Sequence, residues 1–280
     1  MTGLWIWKKN GQNRHIRISL AYVIMIILIW IPMARRKSLA FLDVGQGDCF
    51  VADTKSGAII FDGGSSSEDQ VGRYRILPYM KYLGYQKIQI AVISHMDIDH
   101  YSGIKELLEM GKIKYLGLPE IPKDETMKKI IGIAKKRGTT IFYLSRGRQI
   151  TTKDGSLKVL HPQKNSQMEK NAASLVMQGK ILGYRVLLTG DVEKEGEEEL
   201  LSEELERADI LKAAHHGSKN STSNEFLQKV QPKQTVISCG KQNRYGHPHL
   251  ETIHRLQTYR TKIYRTDRSG AIIFFKRRDG

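Results

Sequence analysis

Ile93-Ser94-His95-Met96-Asp97-Ile98-Asp99-His100 decides how this chain reads: four groups able to ligate a metal fall within six residues, directly after an apolar run of buried-strand character at residues 88–93. Polar groups so crowded are costly beside a core unless they are paired or hold a cation. A loop leaving the end of a strand lets all four converge on one cavity, and imidazole with carboxylate suits Zn, Mn or Fe. The competing reading is an exposed polar turn. The apolar strand argues against it, because it aims the loop at one end of a sheet.

Outward from this run, short Ile- and Val-rich segments alternate with turn signals and with stretches of helical period. Strands are expected at residues 38–43, 49–53, 58–61, 88–93, 114–118 and 140–143, then at 157–160, 175–178, 185–188, 210–213, 235–238, 262–264 and 271–275. Helices fit residues 73–83, 103–110, 126–137, 193–206, 224–230 and 250–260. Strand-rich halves interleaved with helices imply an α/β chain with two sheets face to face and helices outside. Residues 193–206 are strongly acidic, yet Leu200, Leu201 and Leu205 form an apolar stripe at helical spacing, which reads as a helix with a solvated outer face and not as a metal site. Cys49 and Cys239 are too few for a disulfide scaffold; both are expected as buried thiols, with a single bridge left open.

The ligand-rich run and the segments around it resemble the metallo-β-lactamase superfamily, whose signature is H-x-H-x-D-H. The likeness is closer still to the H-x-D-x-D-H variant in the extracellular domain of ComEC-type competence DNA-uptake proteins. It covers residues 38–280 and runs through Phe41-Leu42-Asp43-Val44-Gly45-Gln46-Gly47-Asp48, Phe61-Asp62-Gly63-Gly64, Leu188-Thr189-Gly190-Asp191, Ala214-His215-His216-Gly217-Ser218, Tyr245-Gly246-His247-Pro248-His249 and Tyr264-Arg265-Thr266-Asp267. Several motifs in the family's order make the match specific. It implies an αββα four-layer sandwich and a site for two divalent ions, Zn or Mn. A full ComEC-type protein carries a polytopic channel before this domain, so such a membrane channel is an expected partner, together with DNA, most plausibly single strands.

The same resemblance implies roles residue by residue. His95 and Asp97 would hold one metal, Asp99 and His100 the other, and Asp191 would bridge them; alternatively Asp191 merely caps a following helix. Asp97 stands where the wider superfamily has histidine, a hard oxygen that favours Mn. His161 is expected to be structural, while Asn171 and Ser174 would approach the first metal or the substrate. His215 and His216 follow the apolar run 210–213, and adjacent strand residues face opposite ways, so His215 is taken as ligand and His216 as the contact to substrate or transition state, unless the strand has already ended. His247 would complete the second site, with His249 supporting it or starting a helix. Asp62 would orient ligand histidines through their free ring nitrogen, and Asp43 with Asp48 would stiffen the loop beneath, unless these are simple turn residues. Asp99 is the candidate proton acceptor, with His216, Ser218 and Lys219 placed to meet anionic oxygens.

Formal charge is +16, and residues 1–34 hold four of the 45 basic residues and none of the 29 acids, leaving 41 against 29, about +12, for the rest. Such a domain concentrates polyanions near it by an attraction that salt screens. Residues 18–34 carry no charge and lie between Lys8, Lys9, Arg14 and Arg17 on one side and Arg35, Arg36 and Lys37 on the other. They read as an uncleaved membrane anchor, with a cleaved signal peptide as the rival. The expected organisation is a basic cytoplasmic stretch at 1–17, a single-pass anchor at 18–34 and an extracellular hydrolase domain at 36–280. Two alternatives to a DNA phosphodiesterase stay open: a hydrolase of lactams, lactones or thioesters, and a DNA-binding module with a degenerate site.

Overall fold

The computed structural model describes residues 14–25, 36–168 and 171–277. The chain divides into two units, Met1–Arg36 and Lys37–Gly280. Residues 14–25 of the first are helical. Among the described residues no helix is long and apolar enough to cross a membrane. The expected anchor at 18–34 therefore finds no support there, and its residues 26–34 lie outside the described residues.

The second unit begins with β1 (Ser38–Phe41), β2 (Phe50–Thr54) and β3 (Gly57–Phe61). A π-helical turn, Gly72–Ile76, leads into α1 (Leu77–Tyr82), followed by β4 (Ile88–Val92), α2 (Ile98–Glu109), β5 (Ile113–Pro119), α3 (Glu125–Lys136) and β6 (Thr140–Leu144). Then come β7 (Gln149–Thr152), β8 (Gly155–His161), β9 (Val176–Ile181), β10 (Tyr184–Leu188), α4 (Lys194–Ser202) and β11 (Ile210–Lys212). A 3-10 turn at Ala214–Gly217, α5 (Asn224–Val230), β12 (Gln234–Ile237), α6 (Leu250–Thr258), β13 (Lys262–Arg265), α7 (Thr266–Ser269) and β14 (Ile272–Phe275) complete it. Two seven-stranded sheets result, in the orders β14-β1-β2-β3-β4-β5-β6 and β13-β12-β11-β10-β9-β8-β7.

Alternation along the strands builds the layers. Leu39 and Phe41 of β1, Ile59 and Phe61 of β3, Met177 of β9 and Val186 and Leu188 of β10 share one core, which lies between the sheets. Their neighbours point outward: Ala40, Val51 and Ile60 pack under Met80, Ile104, Leu107 and Ile130 of α1 to α3. On the far side Val176, Leu187 and Leu211 pack under Leu200, Phe226 and Leu256 of α4 to α6. The order is helix, sheet, sheet, helix. Both cysteines are free and buried.

Strands β3 to β6 run parallel, and so do β10 to β13. Parallel strands end on the same edge of their sheet, and open α/β sheets bind ligands outside those carboxyl ends. The segments leaving β3, β4, β10, β11 and β12 there carry Asp62, His95 to His100, Asp191, His215 with His216, and His247.

The structure departs from the sequence reading in two places that matter. β7 was not expected; it is a short, polar edge strand. Helix α2 begins at Ile98 and not at residue 103, so Asp99 and His100 stand on its first turn and not in a loop, with Asp97 at the extended N-cap position. A carboxylate in the first turn is favoured by the helix dipole. That turn is sewn to the loops beneath by backbone hydrogen bonds from Asp48 N to Asp99 O (3.0 Å) and Gly63 N to His100 O (2.8 Å). A Cβ at residue 64 would sit 2.6 Å from His100 N, so only glycine permits this approach.

Candidate metal centre

Four imidazoles are oriented in the same way. Each has Nδ1 engaged and Nε2 directed at carboxylates. His95 Nδ1 lies 3.0 Å from Ser94 Oγ and 3.3 Å from Ser174 Oγ. His100 Nδ1 lies 3.0 Å from Asp62 Oδ2, and Asp62 Oδ1 accepts a hydrogen bond from Ser94 N at 2.7 Å. His216 Nδ1 donates to Ser238 O at 2.9 Å, and His215 Nδ1 donates to Glu193 Oε1 at 2.7 Å. On the other side His100 Nε2 is 3.2 Å from Asp191 Oδ2, while His216 Nε2 is 3.2 Å from Asp99 Oδ2 and 3.4 Å from Asp191 Oδ2. His215 Nε2 stands 3.8 Å from Asp191 Oδ2, and His95 Nε2 stands 3.6 Å from Asp97 Oδ2. A carbonyl can only accept, so the neutral form of His216 carries its proton on Nδ1 and offers the Nε2 lone pair inward.

Both members of the His215–His216 pair face this centre because β11 has ended at Lys212 before they begin. Their φ angles, 47° and 52°, are left-handed, so the strand alternation that would separate them no longer applies. His247 follows at ring distances of 5.4 Å from His215 and 6.1 Å from His216. Asp97, Asp99, Asp191, His215, His216 and His247 line one open cavity of about 270 Å³, with Gln46, Ser66, Ile98 and Tyr245 at its walls.

Two side chains in the cluster escaped the sequence reading as central members. Asp48, expected only to stiffen a loop, is 4% exposed and lies 3.7 Å from His100 Nδ1 and 3.6 Å from His216 Nδ1. Lys212 is also 4% exposed; its ammonium pairs with Asp48, lies 3.4 Å from Asp191 Oδ1 and donates to Gly190 O at 2.8 Å. Burial works to discharge Lys212, but the Asp48 and Asp191 carboxylates outweigh it and raise its pKa. Burial likewise opposes the charge on Asp191, yet His100, His216 and Lys212 hold its carboxyl well below the usual range. His100 resists its own burial through Asp191 and Asp62, which carry it well above the usual imidazole value. His247 behaves oppositely: burial first, then the neighbouring His216 and His215 side chains, lower it to about 4. At neutral pH it is therefore an uncharged imidazole with a lone pair to give.

A divalent cation fits these groups. Asp48, His100, Asp191 and His216 each bring a ligand atom to within 4.8 Å of the others. His95 Nε2 and His247 Nδ1 are buried with no hydrogen-bond partner, an arrangement that is costly unless something else meets them.

A model of the Metallo-beta-lactamase superfamily matches residues 42–241. The chain belongs to the metallo-β-lactamase superfamily. Among curated relatives it is 35% identical over 278 residues to ComE operon protein 3 of Bacillus subtilis, which covers 92% of this chain and 35% of that protein. It is 30% identical to Competence protein ComA of Neisseria gonorrhoeae, over 85% of this chain and 32% of the relative. The chain thus spans about a third of the length of these competence proteins. The solved metallo-β-lactamase fold protein YhfI from Bacillus subtilis aligns with a TM-score of 0.56 at 13% identity, over 84% of this chain and 99% of that one, a likeness of fold.

Within this metallo-β-lactamase fold the remaining expected residues lie as follows. Ser174 joins the centre, since its hydroxyl meets both His95 Nδ1 and Asp191 N. Asn171 contributes its backbone carbonyl to Ser174 N at 3.0 Å. His249 packs 4.9 Å from the His247 ring and accepts from Lys219 N at 3.2 Å. Ser218 is buried in its turn and accepts from Asn220 N, while Lys219 lines a neighbouring cavity with Glu197, Glu198 and Arg255. Asp43 accepts from Gly45 N and lies 4.0 Å from Arg75, so Asp48 is the carboxylate of that loop within the cluster. His161 is satisfied by Ala172 O at 2.6 Å and Glu199 at 3.0 Å, the structural role expected of it.

Asp62 offers a direct test, because a carboxylate behind a ligand histidine raises its basicity. Asp62→Asn preserves shape and tolerates the residue's φ of 59°. Titration calorimetry with Mn should show affinity lowered about 10- to 100-fold; unchanged affinity would remove Asp62 from this role.

Proposed function

We propose that this chain is a metal-dependent phosphodiesterase acting on DNA. One observation carries the reading: His215 and His216, anchored through Nδ1, line a single open cavity with Asp97, Asp99 and Asp191, and Asp191 also reaches the Nε2 of buried His100. The basic charge of the chain, +16, favours a polyanionic substrate over a small neutral one. The names of its relatives, which are competence proteins, support DNA as that polyanion.

In this reading His95 and Asp97 would hold one cation and His100 and Asp99 the other, with Asp191 available to each. The two adjacent histidines exchange the roles expected from strand alternation. His216, 1% exposed and in reach of Asp99 and Asp191, belongs with the ligands, whereas the more open His215 faces the substrate, and its doubly protonated form, with Nδ1 held by Glu193, would be the donor to the leaving oxygen. His247 completes the rim. When bound, divalent ions supply a nucleophilic water at neutral pH and neutralise charge at the attacked phosphoryl group. Asp99 would take a proton from the attacking water as its oxygen bonds to phosphorus, and the leaving oxygen would take a proton from His215 as its own bond to phosphorus breaks.

Purified 280-residue chain loaded with Mn or Zn is expected to cleave single-stranded DNA, to lose the activity in EDTA and regain it on metal return, and to lose it in Asp99→Ala. Metal-replete chain that leaves DNA intact, with Asp99→Ala indistinguishable from parent, would reject the proposal. A second reading, a DNA-binding module with a degenerate site, is favoured by Lys212, which places a protein cation among the carboxylates. Salt-sensitive DNA binding without metal-dependent cleavage is its signature.

A further inference from the structure

We infer that Ile98 and Tyr245, with Arg244, form a base-holding surface at the cavity mouth, so that the site selects an unpaired nucleotide over a base-paired one. The inference rests on the phosphodiesterase reading and adds to it the feature of DNA that the site recognises.

Ile98 is 54% exposed and Tyr245 is 42% exposed, yet both line the cavity that holds Asp97, Asp99, Asp191 and His215. An isoleucine between two aspartates on the first turn of α2 contributes nothing to binding a cation or a phosphate, and exposing it forfeits burial energy. It is the kind of group that meets the flat apolar face of a base or the body of a sugar. The tyrosine, though partly exposed, is braced by its neighbours. Its ring stacks on His247 at 5.7 Å and 21°. The Arg244 guanidinium lies 4.9 Å from the ring centre and donates to the Tyr245 hydroxyl at 2.7 Å. Asn243 Oδ1 accepts from both Tyr245 N and His247 N, and Asn243 Nδ2 donates to Gly240 O and His247 O. The loop is therefore braced on both sides of the tyrosine, so ring and guanidinium meet a ligand without first being ordered.

Planar phenol and guanidinium groups are a means by which proteins hold single strands, because every unpaired base has a free face to stack. In a duplex those faces are covered by neighbouring bases, and a nucleotide must be unstacked before it can use them. Since Tyr245 leans on His247, a base stacked there registers the adjacent phosphate against the histidine and carboxylate cluster.

The test compares two fluorescent strands of equal length and charge, oligothymidylate and its abasic counterpart, binding in EDTA to the parent chain and to Tyr245→Ala, Tyr245→Trp and Ile98→Ala. Parent is expected to prefer the base-bearing strand. Tyr245→Ala should weaken that strand about tenfold while leaving the abasic strand unchanged, Ile98→Ala should weaken it less, and Tyr245→Trp should restore it. Equal loss on both strands, no loss on either, or no preference in the parent would each overturn the inference. Hydrolysis of bis(4-nitrophenyl) phosphate by the metal-loaded parent separates the two failures. Turnover without base preference sinks only the stacking surface, whereas absence of turnover sinks the phosphodiesterase reading beneath it.

Discussion

Asp191→Asn should leave the fold intact and lower metal-dependent hydrolysis about a thousandfold. Asp191 is 3% exposed, and its carboxyl lies within 3.2 to 3.8 Å of the Nε2 atoms of His100, His216 and His215. No other acid among the described residues is recorded in reach of all three. An amide of the same shape keeps the volume and removes the charge. In the proposed reading, losing metal held through this carboxylate would forfeit the several kcal/mol of transition-state stabilisation that a bound metal supplies, and about 4 kcal/mol corresponds to three powers of ten in rate. Elemental analysis should show reduced metal content in the same preparation, and circular dichroism should show unchanged secondary structure. A variant that keeps its full metal complement and the parent's rate would remove Asp191 from the centre.

The second large effect concerns stability. Lys212→Met should destabilise the metal-free chain by about 3–5 kcal/mol, because removing one partner of a buried ion pair strands the others. The stranded groups are Asp48 and Asp191, both 3–4% exposed and both paired with the ammonium. Methionine fills a similar volume, so a packing defect contributes little. Urea unfolding in EDTA should show the loss as a lowered midpoint with an unchanged slope. Saturating Mn should recover part of the stability, since a ligand that binds only the folded state stabilises it by mass action. Identical midpoints for variant and parent in EDTA would mean that the lysine is not the counter-ion of these carboxylates in the metal-free chain.

Lys212 also shows where reading a sequence stops. Within the run at residues 210–213 a lysine looks like the solvent-facing member of a strand. Only the arrival of Asp48 from the loop after β1, on the opposite sheet, turns it into a buried cation. The same holds for Asp48 against Asp43: two aspartates flank one glycine-rich loop, and local chemistry treats them alike. Hydrogen bonds from that loop to the first turn of α2 bring Asp48 under the imidazoles, while Asp43 remains beside Arg75. The start of α2 was hidden for a related reason. Its apolar stripe begins at Ile104, whereas the turn before it is occupied by the ligand-type residues themselves. β7 was missed because a four-residue polar edge strand has no apolar periodicity to detect.

The chain's order of residues, taken alone, determined which chemistry is available. Period-two apolar runs specify strands whose two faces must both be covered, and His95 to His100 after such a run places nitrogen and oxygen donors at a sheet edge. What it left undecided is which donors meet. That depends on φ at His215 and His216, where β11 has already stopped, and on Asp62 and Ser238 arriving from neighbouring strands to hold one nitrogen each of His100 and His216. Periodicity is a property of neighbours along the chain, whereas the direction of a lone pair is set by hydrogen bonds between segments distant in sequence. The bonds that anchor His100 and His216 form between neighbouring strands of one sheet, whereas the approach of His100 to Asp191 and of His216 to Asp99 exists only once both sheets have packed.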